Sequence, residues 1–582
     1  MMAGMELSAY APGRLVGVAV LLAALYMLQP GAYLAGNWDP GVYLGVGAAT
    51  ARHPVSFRFP DAATEVLTVT QTAMLYPEQH GITIKTPGFF SPGPPFGYLV
   101  PQFLPAYPRL LGAAFTAGGL PAALRLDALL IAWSVVIFAR WAERRAGSPV
   151  AFWSTVALLG LHPVTFWFAR FHTAESLALL LSALWVASLF GASTMSPAST
   201  LRRIGSYAPP WLLCWTTPAT WPVVLGSALL AFAPGQTTRH RIAIALTAIG
   251  GPASIALSLL ALDHPYADHL RRVTPDPPGL LWIGLLITAG MSLSALVVRF
   301  ALPTRPTAPR TRHPGTMAII LAAVAALSIL TPSLAPPFAD GLFVLTPVAL
   351  WLVALPAFVS PTPRERFHLL WLLAITVAIS LLFILAPAMP ALYPWTWKRW
   401  MWWTLPVLSA AAAMTIATQS ARATPTFRLR ILAPAASTAA LVLLPWVWCA
   451  PLATTTAWQG LPDWMDHLAA ALPREAIVLT DKSLAAPLEF LHGRTVVPLY
   501  ADDHTERAPY YQQLLAEHPD RTFALVTSLA PPAWWPGTAA QPVFITPYEG
   551  HWIKPQPQPR HFTVETRRFD PSVYLLVPAT AP

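Results

Sequence analysis

The sequence predicts a polytopic α-helical membrane protein of about 11–13 transmembrane helices, followed by a small extracytoplasmic α/β domain. Of 582 residues, 36 are Lys or Arg and 26 are Asp or Glu, so that 11% are charged, against about 25% in soluble domains. Hydrophobic residues make up 55%, and the mean hydropathy is +0.51. A soluble protein of this length could not cover its surface with so few charges. The composition therefore excludes soluble enzymes and disordered chains.

The charges are unevenly distributed, and this predicts two domains. The first 450 residues contain 27 Lys and Arg but 13 acids, whereas residues 451–582 contain 9 Lys and Arg and 13 acids. We therefore predict a transmembrane domain over residues 1–450 and an extracytoplasmic domain over residues 451–582. The positive excess lies in short loops of the membrane part, where arginines favour the cytoplasmic side. Nucleic-acid binding does not explain it.

The apolar runs predict about a dozen helices, because a spanning helix needs about 20 mostly apolar residues. The first run, Leu15–Leu28, has no small-residue cleavage site after it and predicts a retained helix. A polar segment over residues 30–95 follows as the first outer loop. The later apolar runs begin near Phe96, Pro121, Val150, His172, Tyr207, Ile242, Gly279, Thr316, Gly341, Phe367, Trp400 and Leu429.

Arginine clusters predict the orientation of these helices. Clusters such as Arg140–Arg145 and Arg422–Arg430 are predicted to be cytoplasmic, which places the first loop and the tail outside. An odd number of spans must then separate the first loop from Arg140–Arg145, although two apolar runs lie between them. One of the two runs is therefore predicted to be re-entrant or to lie in the membrane plane.

The tail has the pattern of an α/β domain, in which short strands alternate with helices. Strands are predicted at residues 476–480, 495–500 and 522–527, with helices at 463–472, 484–491 and 509–517. Two final strands, HFTVETRRF and SVYLLVP, are predicted to be joined by a turn. No glycine-rich phosphate loop follows any of these strands, so no nucleotide site is predicted.

Asp39 is the first candidate for chemistry. It lies about ten residues beyond the first helix, and Pro40 favours the start of a short amphipathic helix over residues 42–51. An acid at a helix start is commonly an N-cap. Carboxylates are scarce in the membrane part, however, and a partly desolvated carboxylate can act as a general base. Both interpretations remain open.

Two further segments carry ionisable groups between apolar runs. Arg170 and Glu175 lie five residues apart, and such groups usually face a cavity or a partner; a structural ion pair or an interfacial turn is the alternative. Lys398 and Arg399 lie among aromatic residues, either as phosphate ligands or as part of an interfacial belt. The chain has four lysines, and Lys85 and Lys398 both fall in segments predicted to be outside.

Metal binding is not predicted from the residue spacing. Asp263, His264, Asp268 and His269 lie close together, but their spacing matches no zinc motif and Pro265 interrupts a helix. The two cysteines, Cys214 and Cys449, lie in apolar segments and form no disulfide framework.

Three of these segments together resemble the GT-C superfamily of membrane glycosyltransferases. They are NWDPGVYLGVGAATARHP around Asp39, HPVTFWFARFHTAESLALL from His162, and KRWMWWTLP from Lys398. The resemblance is to the branch that uses polyprenyl-phosphate sugars, which includes protein mannosyltransferase and aminoarabinose transferase relatives. Many relatives have two neighbouring acids at the Asp39 position, whereas this chain has Asn37 and Trp38 before its single aspartate.

The resemblance implies a transferase of the cell membrane that moves a hexosyl or pentosyl group from a polyprenyl-phosphate donor to a glycan, lipid or protein acceptor, with inversion. Asp39 would be the general base, with Asp61 and Glu65 as alternatives. No cofactor is required, and dependence on a divalent metal is left open. The residues implied to bind substrate are Tyr43, Asp61, Lys85, Arg170, Glu175, Lys398 and Arg399.

Other functions remain open at this stage. A transporter or a flippase for lipid-linked saccharides would be expected to show internal repeats and paired broken helices; no repeat is visible, but the Pro-rich segment Pro209–Pro222 fits a broken helix. A membrane scaffold protein would keep its function without Asp39. A polymerase or ligase that uses a diphosphate-linked donor has the same sequence features as the monophosphate-dependent transferase.

Overall fold

The structure is a computed structural model of the full chain, and its described part is mainly helical with three small sheets. The residues it describes are 12–28, 30–36, 39–79, 82–94, 96–191, 200–217, 220–232, 238–261, 348–358, 368–369, 371–376, 401–423, 427–500, 504–527, 531–532, 534–536, 543–544, 547–555, 562–569 and 571–577. The predicted outer loop over residues 263–276 lies outside these residues, as do Lys398 and Arg399.

The described helices of the first 454 residues follow the apolar runs, with several interruptions. They are α1 (Pro12–Met27), α2 (Asp39–Arg52), α3 (Val69–Leu75), α4 (Ala106–Ala123), α5 (Leu126–Ala146), α6 (Pro149–Thr155, extended by a π-helical turn to Gly160), α7 (Pro163–Phe168), α8 (Ala174–Gly191), α9 (Thr200–Cys214), α10 (Trp221–Gly226), α11 (Thr238–Ala261), α12 (Val348–Ala354), α13 (Thr404–Ala423) and α14 (Phe427–Thr454).

Helices α1 and α5 form an antiparallel pair whose polar ends meet. Arg14 near the start of α1 contacts Glu143 near the end of α5 at 3.4 Å, and Arg140 contacts the same carboxylate at 2.6 Å. Helix α5 ends at Gly147, whose φ of +62° is the left-handed conformation that glycine adopts readily. The arginine cluster therefore lies at the end of the bundle opposite the first loop.

A bend separates the two apolar runs that precede Arg140–Arg145, where the arginine clusters predicted an odd number of spans. Helix α4 packs against α2, and it meets α5 at an angle of 95°. Within α4, Gly118 and Gly119 leave helical geometry, and Gly119 has a φ of +65°. The two apolar runs thus form α4 and α5, and this bent pair is either a broken span or a re-entrant segment.

Few of the described helices are both long enough and apolar enough to cross a membrane. In that part of the chain, Arg241–Ser258 within α11 is one stretch long and apolar enough to cross a membrane, and α4 with α5 gives a second if the bent pair is taken as one. The apolar stretches in α1, α6, α8 and α14 measure 10–17 residues. The runs predicted from Gly279 and Thr316 lie outside the described residues.

The first outer loop contains a five-stranded antiparallel sheet that the sequence did not predict. Its strands are β1 (Phe59–Pro60), β2 (Glu78–Gln79), β3 (Ile82–Thr86), β4 (Phe89–Ser91) and β5 (Tyr98–Pro101), in the order β1-β5-β4-β3-β2. The helix expected over residues 42–51 is present as α2, but it is not amphipathic. Eleven of its fourteen residues are buried, because other parts of the chain cover both of its faces.

The tail folds as the predicted alternation of strands and helices. Its elements are α15 (Leu461–Ala471), β6 (Ile477–Asp481), α16 (Lys482–Phe490), β7 (Thr495–Leu499), α17 (His504–Glu517), β8 (Phe523–Thr527), β9 (Val543–Phe544), β10 (Tyr548–Pro555), β11 (Phe562–Phe569) and β12 (Ser572–Leu576). The central sheet has the order β7-β6-β8-β12-β9. Strand β6 is parallel to β7 and β8, whereas β12 is antiparallel to β8 and β9.

The two final strands predicted in the tail are present as β11 and β12, but they do not pair with each other. Strand β11 pairs along its whole length with β10, which lies in a segment without a clear strand pattern. Strand β12 instead joins the central sheet beside β8, where Val573 is buried. The alternating apolar residues predicted the strands, but they did not predict the partner of either strand.

Candidate active site

Asp39 is the first residue of α2 and lies partly exposed at the point where the first loop enters that helix. Pro40 in the first turn has the fixed φ that suits this position. The helix N-terminus carries partial positive charge, which favours a carboxylate there. This location fits both an N-terminal acid that stabilises the helix and a base that is accessible to a substrate.

A close backbone approach fixes the start of α2. A Cβ atom added to Gly41 would come within 2.0 Å of the carbonyl oxygen of Ala35. The segment of residues 30–36, which we call the strap, therefore turns back against the first turn of the helix. Only glycine leaves room for this arrangement, which sets the position of Asp39 relative to the strap.

We expect Gly41→Ala to disturb this arrangement. An added methyl group at an occupied position typically costs about 1–3 kcal/mol, so hydrogen exchange in the strap and in the first turn of α2 should become faster. Gly45→Ala on the same helix is the matched control, because its Cβ would meet Phe89 at an ordinary 3.5 Å. Equal effects of the two substitutions would contradict this prediction.

Tyr43 lies one helical turn after Asp39, and its ring is buried. The ring stacks on Phe103 with a centroid distance of 3.8 Å and an interplanar angle of 10°, and it packs edge-on against Tyr107 at 5.2 Å. The Tyr107 hydroxyl donates a hydrogen bond to the carboxylate of Asp127 at 2.8 Å. Tyr43 thus connects α2 to a buried polar group on α5.

That polar group also includes His172, which the sequence analysis did not select. Its Nδ1 lies 2.7 Å from Oδ2 of Asp127, and both side chains are fully buried. Its Nε2 lies 3.4 Å from the carbonyl oxygen of Gly31 in the strap. The useful signal in the sequence is that Asp127 and His172 both fall inside apolar runs, where ionisable residues are costly and normally have partners.

Arg170 binds the end of a helix. Its Nη2 donates hydrogen bonds of 2.8 Å to the carbonyl oxygens of Leu452 and Ala453 in the last turn of α14, and its Nε donates to that of Phe166. Carbonyl groups at a helix C-terminus have no partner within the helix, so this arginine satisfies them. Glu175 lies buried in the first turn of α8. The segment between them is a turn at the same end of the bundle as the strap.

Lys85 and Asp61 form a buried charge cluster with Glu489 of the tail, a residue that the sequence analysis missed. The Lys85 ammonium lies 2.6 Å from Oδ1 of Asp61 and 2.7 Å from Oε1 of Glu489, and the lysine side chain is fully buried. The Tyr76 hydroxyl donates to the second oxygen of Asp61 at 2.9 Å. The tail is therefore bonded directly to the first outer loop.

The charges of this cluster are strongly coupled, since one lysine faces two carboxylates. Burial raises the pKa of Glu489 to about 7, although the Lys85 ammonium acts in the opposite direction. Burial alone would lower the pKa of Lys85, but the adjacent carboxylates of Asp61 and Glu489 raise it above the ordinary lysine value. The lysine stays charged and occupied by these partners at neutral pH.

The segment that follows Lys398 and Arg399 is buried. Trp402 and Trp403 have no exposed surface. The ring of Trp403 lies 6.0 Å from those of Trp185 and Trp371, so that these three tryptophans form one cluster. Among the described residues, no group of three or more His, Cys, Asp or Glu side chains could hold a metal ion.

Comparison with solved structures finds similar chains at low identity. ArnT from Cupriavidus metallidurans bound to undecaprenyl phosphate has 12% identity and a TM-score of 0.47, with 98% of each chain covered. The Archaeoglobus fulgidus oligosaccharyltransferase in the apo form has 11% identity and a TM-score of 0.47, covering 90% of this chain and 70% of that one. The Archaeoglobus fulgidus AglB in complex with an inhibitory peptide and a dolichol-phosphate has 11% identity and the same TM-score, covering 88% and 69%.

No protein-family model matches the chain, and no curated protein matches it.

Proposed function

We propose that this protein is a multi-pass glycosyltransferase of the cell membrane that transfers a sugar from a polyprenyl-phosphate donor to an extracytoplasmic acceptor. The observation that carries the proposal is the position of Asp39. Its carboxylate lies partly exposed at the start of a buried helix, at the end of the bundle where the strap, the Arg170–Glu175 turn and the tail meet. A base held in this way can meet a lipid-linked donor from the membrane side and an acceptor from the aqueous side.

The proposed orientation follows from the two ends of the bundle. Arg14, Arg140 and Glu143 lie together at one end, and arginines favour the cytoplasmic side. The first loop and the residues of the tail that contact it lie at the other end. We therefore assign residues 1–450 to a transmembrane domain and residues 451–582 to an extracytoplasmic domain.

The proposed reaction is a single displacement. An acceptor hydroxyl or amine attacks the anomeric carbon while the bond from that carbon to the phosphate oxygen breaks, and the bonding electrons leave with the lipid phosphate. Asp39 takes the proton from the attacking atom, which is general base catalysis. The configuration at the anomeric carbon is inverted, and no covalent intermediate with the protein forms.

The leaving phosphate needs cations at the outer membrane boundary, where they stabilise its developing charge. We assign this role to Lys398 and Arg399. Lys85 and Arg170 were also predicted to bind the phosphate, but each already donates to two or more acceptors within the protein. A phosphate would have to displace these partners. We assign no step to a metal ion, since the cations can neutralise a phosphate leaving group.

Substitution of the two cations tests this assignment. Lys398→Ala and Arg399→Ala are each expected to weaken donor binding about tenfold or more, since a charge-assisted hydrogen bond is worth about 1.5–3 kcal/mol, while acceptor KM stays unchanged. The measurement is KM for each substrate in turn. Arg521→Ala, an exposed arginine of the tail, is the control, and equal weakening of donor and acceptor would contradict a phosphate role.

The experiment for the function itself uses purified protein with defined lipid-linked sugars. Parallel reactions contain polyprenyl monophosphate and polyprenyl diphosphate donors, and mass spectrometry measures the released lipid phosphate and the glycosylated acceptor. Release of polyprenyl monophosphate from the first donor with inverted product supports the proposal. Turnover of the diphosphate donor alone would indicate a polymerase or ligase instead.

A flippase is the competing function, and one observation favours it. Two helices, α9 and α10, are separated between Cys214 and Trp221, within the Pro-rich segment that was expected to break a helix. The same purified protein in liposomes with a fluorescent lipid-linked sugar distinguishes the two functions. Movement of the lipid between leaflets without release of lipid phosphate would support the flippase.

A further inference from the structure

The tail contacts α2 at both ends of that helix. At the beginning, the backbone N–H of Gly36, three residues before Asp39, donates to the carbonyl oxygen of Ser483 at 2.8 Å. A Cβ atom on Gly36 would come within 2.8 Å of the Cβ of Ala486 in α16. Helix α16 therefore packs directly against the strap beside the proposed base.

At the other end, Arg52 makes the contact. It is the last residue of α2, and its Nη1 and Nη2 donate to the carbonyl oxygens of Glu489 at 3.3 Å and Leu491 at 3.0 Å. These carbonyls lie at the C-terminal end of α16, where helix carbonyls lack intrahelical partners. A Cβ atom added to Gly493, which has a φ of +67°, would lie 3.6 Å from Nη1 and Nη2 of Arg52.

The two helices therefore run side by side in the same direction and are joined at both ends. Between the joints, Gly45 of α2 lies close to the ring of Phe490, which stacks on Phe89 of the first loop at 4.1 Å. These contacts fix both the position of α2 and its tilt relative to α16.

We infer that Arg52 is a positioning residue, which holds the helix that carries Asp39 at a fixed tilt against the tail. This inference rests on the proposed function. Helix α2 has 14 residues, so Arg52 lies about 20 Å from Asp39 at 1.5 Å per residue, and it touches neither substrate. A tilt of about 3° around one end moves the other by about 1 Å over this length, and a misplacement of about 1 Å can cost 10²-fold in rate.

The test compares Arg52→Ala, Arg52→Lys and Arg521→Ala in the full-length protein in nanodiscs. Arg52→Ala is expected to lower kcat about tenfold with donor KM unchanged, because donor binding does not depend on the tilt of α2. Arg52→Lys keeps a donor at this position and should recover part of the rate. Arg521→Ala removes an exposed arginine of the tail and should leave kcat unchanged.

Hydrogen exchange measured by mass spectrometry gives a second readout that requires no activity. Peptides that cover residues 36–52 and residues 482–491 should both exchange faster in Arg52→Ala, and both should be restored in Arg52→Lys. Unchanged exchange in both peptides, or faster exchange with unaltered kcat, would overturn the inference. Failure of this inference can be distinguished from failure of the proposed function. Retained transfer in Asp39→Asn would disprove the role of Asp39 as the base, whereas faster hydrogen exchange in both peptides of Arg52→Ala could still be observed.

Discussion

Asp39→Asn is expected to lower kcat at least about 100-fold, because general base catalysis contributes typically 10²–10⁴-fold. Asparagine has nearly the same shape and can still accept a hydrogen bond at the start of α2, so the fold should be retained. The uncharged amide cannot take the proton of the attacking acceptor. The measurement is single-turnover transfer from a polyprenyl-phosphate sugar, with donor binding measured separately.

Two companion variants make this experiment decisive. Glu65→Gln changes an exposed acid of the same loop and should leave transfer unchanged. Loss of activity in Glu65→Gln would indicate that Glu65, and not Asp39, is the general base. Asp61→Asn is a poor test of chemistry, because Asp61 binds Lys85 and Tyr76 in the buried cluster. Full transfer by Asp39→Asn would end the proposed role of this aspartate.

The second large effect is expected at Lys85. Lys85→Met leaves the carboxylates of Asp61 and Glu489 buried without their cation, and breaking a buried ion pair in this way costs about 3–5 kcal/mol. We therefore expect a lower thermal unfolding midpoint and faster exchange where the first loop meets the tail. Lys482→Met, which changes an exposed lysine only a few residues from Glu489, should have little effect.

The stability lost in Lys85→Met should depend on pH in a defined direction. Burial already raises the pKa of Glu489 to about 7, and removal of the ammonium raises it further. A carboxyl whose folded pKa is raised stabilises the fold most below its unfolded pKa, about 4.3, and the stabilisation is lost as pH rises through the folded value. The difference in unfolding free energy between the wild-type protein and Lys85→Met should therefore increase from pH 5 to pH 8. A stable variant with weakened donor binding would instead support the phosphate role predicted from the sequence.

Patterns within one segment were sufficient to predict several elements of the fold. The alternation in the tail predicted β6, β7 and β8 and the helices beside them, and Pro40 with its neighbours predicted α2. The arginine clusters predicted that one apolar run is not a simple span, and the two runs concerned form the bent pair of α4 and α5. Each of these follows from local periodicity, charge or proline position.

The rest depended on contacts between distant segments. Glu489 lies 404 residues from Lys85, and no local pattern indicates that the two side chains meet. Asp127 and His172 lie 45 residues apart, and each resembles a single polar residue in an apolar run. The burial of eleven residues of α2 has the same origin, because α4 and the tail cover faces of the helix that an amphipathic pattern would have left to solvent.

The bond between the tail and the first loop has a consequence for biosynthesis. The strap and Lys85 are translated early, but Ala457, Ser483 and Glu489, which bind them, come off the ribosome several hundred residues later. In a nascent chain whose last hundred residues have not yet been exported, the Lys85 ammonium lacks Glu489 and stays hydrated. The beginning of α2 likewise lacks its contact with Ser483. On the proposed function, a polypeptide that terminates before Ser483 would lack these contacts and would be inactive.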